Sequence, residues 1–161
     1  MSQTATSAAG IDPRLAGHYV LAACKQANIS KVRPLKFLKL VYIAHGYHLA
    51  LEGSPLINVP VEAWKYGPVI KELYLAVKKF GGKTIPFDLL AGYVREDGQD
   101  HSSYKQVISE VIASYGKYDG LVLSAATHRE GTPWSIVYNR DGLDAPIGND
   151  ILKEYYKTLL D

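Results

Sequence analysis

Apolar residues recur along most of this chain at the three- and four-residue spacing of a helix packed on one side, and turn signals cut them into six or seven segments. Asp12-Pro13 reads as an N-cap followed by proline at the first helical position. Leu15, Tyr19, Ala22 and Ala23 keep helical register after it, with Asn28 as the expected stop. Pro34 opens a second helix that runs to about Glu52 and closes at Gly53. Its apolar residues, among them Phe37, Leu40, Val41, Ile43, Ala44 and Leu49, surround most of the circumference, which marks the buried centre of a small domain.

Residues 54–66 break the helical period. Two prolines and the run Val59-Pro60-Val61-Glu62-Ala63-Trp64 predict an extended segment with a short edge strand. Gly67-Pro68 repeats the cap-then-proline signal, and Ile70, Leu73, Tyr74 and Val77 predict a helix that ends at Gly81-Gly82. The connection from Thr84 to His101 has room for a short strand near Leu90–Arg95. Ser103 and Gln106 have capping-box spacing before a helix that lasts to Gly116. Asp119 caps a short helix ending near His128, Thr132-Pro133 starts another that closes at Asp141-Gly142, and Ile151, Leu152, Tyr155 and Leu159 mark a last one. The expected fold is mainly α: a compact single domain over residues 11–161, of six or seven helices with at most a short strand or hairpin, behind a disordered lead over residues 1–10.

Composition narrows the class. The chain has 161 residues, 47% apolar and 21% charged, with one cysteine, Cys24. Surface scaling for this size gives roughly 8,000 Å² of folded surface, enough to enclose a core without disulfides. No apolar run reaches membrane-spanning length and the first ten residues lack a signal-like h-region, so a cytoplasmic protein is expected. The net charge is +2, yet residues 1–99 hold twelve basic and seven acidic side chains, and the stretch from Lys25 to Lys39 holds five cations and no acid. One reading of that stretch is a solvated face. The other is a docking patch for an acidic partner or a phosphate backbone.

Catalytic chemistry finds no foothold. His45 and His48 sit three apart on the second helix without the third ligand a zinc site needs, and read as hydrogen-bonded core or boundary histidines. Cys24 lies among alanines as a small buried hydrophobe. No nucleophile elbow, P-loop or dinucleotide fingerprint occurs. No enzyme and no cofactor is expected. Two stretches are information-dense: Trp64-Lys65-Tyr66-Gly67-Pro68-Val69, and Thr127-His128-Arg129-Glu130-Gly131-Thr132-Pro133-Trp134. Each is either a structural corner or a contact surface.

Taken with Leu35-Lys36-Phe37-Leu38-Lys39-Leu40-Val41-Tyr42-Ile43-Ala44-His45-Gly46-Tyr47-His48-Leu49, these stretches make the chain resemble the Panacea domain family, also called SocA-like or GepA-like, over about residues 15–158. Tyr47 stands where tryptophan is common in the family, and Ala125-Ala126 is smaller than the usual approach to Thr127-His128. The resemblance implies a bacterial or phage antitoxin that binds and silences a toxin encoded beside it, without catalysis. On that reading Trp64, Tyr66, Gly67, Pro68, Thr127, His128, Pro133 and Trp134 are mostly architectural. Lys36, Lys39, Lys71, Lys78 and Lys79 are the candidate partner-binding residues for a cognate protein toxin, in a toxin–antitoxin hetero-oligomer or alongside a homo-oligomer. The alternatives are a DNA-binding regulator of its own operon, although no recognition helix with exposed Arg, Asn or Gln is evident, and an adaptor that delivers the toxin to a protease.

Overall fold

In a computed structural model that describes residues 9–160, the chain forms seven helices, most of them packed around the second, and a three-stranded sheet closes the remaining side. The disordered lead expected over residues 1–10 lies mostly outside the described residues; Gly10 itself packs on the backbone of Ile57. The helices are α1 (Pro13–Gln26), α2 (Pro34–Glu52), α3 (Lys71–Val77), α4 (Ser102–Tyr115), α5 (Gly120–His128), α6 (Pro133–Asp141) and α7 (Asn149–Thr158). The strands are β1 (Val61–Trp64), β2 (Gly67–Val69) and β3 (Ala145–Ile147), antiparallel in the order β2-β1-β3. The protein is a mainly helical single domain, and no described helix is long and apolar enough to cross a membrane.

Most ends form where the sequence places them. The Asp12 carboxylate accepts from the Arg14 amide at 2.8 Å, and Asn28 takes a left-handed backbone at φ +62° just past the end of α1. Asp119 accepts from the Val122 amide at 3.0 Å and the Thr132 hydroxyl from the Ser135 amide at 3.3 Å. Gly53 ends α2 in the left-handed region at φ +76°.

Four expectations are corrected. Gly67-Pro68 does not cap a helix: both residues belong to β2, which pairs Ala63 with Pro68 and Trp64 with Gly67, and α3 begins only at Lys71. β1 is therefore the central strand rather than an edge, while both outer strands carry a proline, Pro68 and Pro146, that cannot donate outward. Leu90–Arg95 holds a 3-10 turn over Ala91–Tyr93 instead of a strand. The capping box at Ser103 does not form either. The Asp100 carboxylate accepts from the Ser102 amide in its place, and the Ser103 hydroxyl faces His48 Nε2 at 3.3 Å.

Helix α2 packs against α1, α3, α4, α5, α7 and β2, and its residues from Lys39 to Gly46 are buried without interruption. Gly46 lets α7 approach, because a methyl group there would run into the Tyr156 ring. That ring meets Tyr42 and Tyr47 edge-on, at centroid distances of 6.2 and 4.9 Å. Gly46→Ala is expected to lower stability by about 1–3 kcal/mol through overpacking, although alanine is the better helix former. Urea unfolding checks this, and a stabilised variant would contradict the contact.

Candidate functional site

The two information-dense stretches meet in space. β1 and β2 form a hairpin with Lys65-Tyr66 as its two-residue turn, and three separate elements hold it. From α6, the Trp134 indole N–H donates to the Trp64 carbonyl at 2.7 Å. From α2, the Lys39 ammonium donates to the Pro68 carbonyl at 2.9 Å. From α5, His128 lies against Gly67, whose missing side chain makes room for both Lys39 Nζ and the His128 ring, with φ at +132° where a side chain would be strained. Trp64 completes the mount by donating to the Glu62 carboxylate at 3.0 Å and meeting Tyr74 of α3 edge-on.

The α5–α6 corner is fixed by its own polar groups. His128 Nδ1 donates to the Ser124 carbonyl at 2.5 Å, which assigns the proton to that nitrogen, and the Thr127 hydroxyl donates to the same oxygen at 3.0 Å. The Thr132 hydroxyl donates to the Arg129 carbonyl at 2.7 Å while capping α6. Trp134 stacks on Tyr138 at 4.9 Å and meets His128 in a T-shaped contact at 5.7 Å. Seven of the eight motif residues thus lie in one buried or half-buried cluster. Tyr66, at the hairpin tip, is 75% exposed.

The candidate cations scatter. Lys71, Lys78 and Lys79 are exposed on and just after α3, and half-buried Lys36 donates to the Gly116 carbonyl at 2.6 Å. Lys39 is 3% exposed, so it lends no charge to the surface in this conformation and acts as an internal strut. No carboxylate pairs with it among the described residues, and burial lowers its pKa to about 8. A lysine in the middle of a helix whose apolar residues surround most of its circumference was the sequence signal for this role.

Both histidines of α2 are occupied by hydrogen bonds. His45 Nδ1 faces the Leu56 and Ile57 amides at 3.3 and 3.4 Å, so its other nitrogen carries the proton toward Asn149 at 3.2 Å, and burial holds its pKa down to about 4. His48 Nδ1 donates to the Ser54 carbonyl at 2.6 Å. Burial raises the Cys24 thiol to about 11, leaving it without nucleophilic character at neutral pH. Among the described residues no three His, Cys, Asp or Glu side chains cluster closely enough to hold a metal. The arrangement offers rigid positioning and surface.

Residues 37–135, from the first turns of α2 through the whole hairpin mount to the start of α6, match the family model described as antitoxin SocA-like, Panacea domain. The chain belongs to this family. The Panacea domain here is also similar to antitoxin SocA of Caulobacter vibrioides (strain NA1000 / CB15N), at 29% identity over 153 residues that cover 91% of this chain and 81% of that protein. No solved structure matches it. The match spans Lys39, Gly67, His128 and Trp134 together, so the whole hairpin mount lies inside the matched region.

Lys39 gives the mount a pH signature. Below pH 8 the ammonium is charged in both folded and unfolded chains. Above it the folded chain releases the proton first, the unfolded chain holds more protons, and stability rises with pH until unfolded lysine titrates near 10.5. Wild type is expected to gain on the order of 2–3 kcal/mol over Lys39→Met between pH 8 and 10. Chemical denaturation at the two pH values checks this, and a constant difference would mean a solvated Lys39.

Proposed function

We propose that this Panacea-domain protein is an antitoxin that neutralises a toxin encoded beside it by direct protein–protein binding. The observation that carries the reading is the family match across the whole hairpin mount, together with similarity to antitoxin SocA along 91% of the chain. The site chemistry supports it, because His45, His48 and the Cys24 thiol are spent on internal packing and hydrogen bonds, and binding alone needs none of them. Covering a toxin's substrate entrance, or holding it in an incompetent conformation, is sufficient. A standard interface takes about 800 Å² from each partner, roughly a tenth of the 8568 Å² surface here. Lys36, Lys71, Lys78 and Lys79 supply long-range attraction for an acidic toxin.

Expression of the adjacent reading frame alone and together with this chain tests the proposal. Growth arrest relieved by the chain, with both proteins eluting as one species on a sizing column, is the expected result. Relief without a complex would favour delivery to a protease or repression. A harmless neighbour would remove the proposal's support.

A further inference from the structure

Helix α5 has the sequence Gly-Leu-Val-Leu-Ser-Ala-Ala-Thr-His, apolar enough for an interior helix, yet only Leu123 and Thr127 are buried. Leu121 is 75% exposed and Val122 50%, and Ala125 continues the same face one turn on. The face does not end in open solvent. Gly120 seats the first turn of α5 against Leu35 and Lys36, where a side chain would crowd the Lys36 amide at 3.0 Å and the Leu35 Cβ at 3.1 Å. The result is a groove of about 300 Å³ floored by Leu35 and Leu121 and edged by Lys31, Arg33 and Lys36.

Two of the three cations of that edge are held in place, and the edge carries a net positive charge. Arg33 Nε donates to the Gly82 carbonyl at 3.0 Å and Lys36 to the Gly116 carbonyl, so backbone oxygens hold both side chains at the groove without neutralising them. None of the three cations joins an ion pair among the described residues. The groove's own acid, Asp119, uses its carboxylate as the cap of α5. Side chains already ordered lose little entropy when a partner arrives. An apolar floor with a net-positive edge, two of whose three cations are already held, is complementary to an apolar side chain flanked by carboxylates. A second copy of this chain is the poorer occupant, since a twofold contact centred here would bring the Lys31, Arg33 and Lys36 clusters of both copies together.

We infer that the exposed start of α5 and the basic corner before α2 form the surface that contacts the toxin, through a toxin segment whose apolar side chain covers Leu35, Leu121 and Val122 and whose carboxylates pair with Lys31, Arg33 and Lys36. The inference rests on the antitoxin reading above. It separates contact from steering: the α3 lysines influence the approach, and the α5 groove holds the complex.

The test uses the full chain and the product of the adjacent reading frame. Leu121→Glu, Lys31→Glu/Arg33→Glu and Lys71→Glu/Lys78→Glu/Lys79→Glu are compared with wild type for affinity by calorimetry and for Tm by circular dichroism. Because the replaced side chains are exposed, all variants are expected to keep the wild-type Tm. Leu121→Glu and the double charge reversal each weaken binding at least tenfold, whereas the α3 variant changes it no more than about threefold. Wild-type affinity in Leu121→Glu and in the double reversal overturns the surface and leaves the antitoxin reading standing. Wild type without affinity for the neighbouring product overturns both. A dimer of the chain alone that Leu121→Glu dissolves, or operator-DNA binding that the charge reversal removes while toxin binding persists, assigns the face to another occupant and overturns the inference.

Discussion

Helix α2 has no solvent side from Lys39 to Gly46, so every polar group it carries there has to find its partner in the elements wrapped around it. That requirement organises the domain. His45 draws in the Leu56 and Ile57 amides and the start of α7, His48 the turn at Ser54, and Lys39 the carbonyl of Pro68. A hydrophobic helix alone would accept many packings of its neighbours, because apolar contact is non-directional. The buried imidazole and ammonium accept few, since leaving either unpaired costs more than the packing around it returns.

The hairpin shows the consequence. A two-stranded hairpin of such short strands is marginal on its own in water, and here Lys39, Trp134 and His128 hold it from three helices. The residues of this mount lie inside the region that matches the family, and most of them are enclosed. The buried scaffold and the exposed face built from Leu35, Leu121 and Val122 are different parts of the molecule. That separation lets the exposed positions be replaced without disturbing the hydrogen bonds inside.

Helix positions were legible because their signals are local. Asp12, Asp119 and Thr132 each cap a helix with their own side chain, and the apolar spacing between caps fixes the buried face. Gly67-Pro68 misled for the same reason. A glycine followed by proline suits a helix start and an edge strand equally, and the choice was made by Lys39 and Trp134, distant in sequence. Ser103 could not act as a cap once His48 took its hydroxyl. The candidate site was half legible: aromatic and proline-rich stretches pointed to the mount. Lys39, however, looked like one surface cation among five, and the bare face of α5 is visible only once its neighbours are placed.

Hydrogen–deuterium exchange on the chain alone, and on the chain bound to the product of the adjacent reading frame, tests the central claim of a buried mount and a separate contact face most directly. The account predicts slowed exchange in the complex at residues 33–36 and 120–126, with the amides of β1, β2 and the middle of α2 unchanged. New protection centred on the hairpin tip at Tyr66, with the start of α5 exchanging as freely as before, would contradict it.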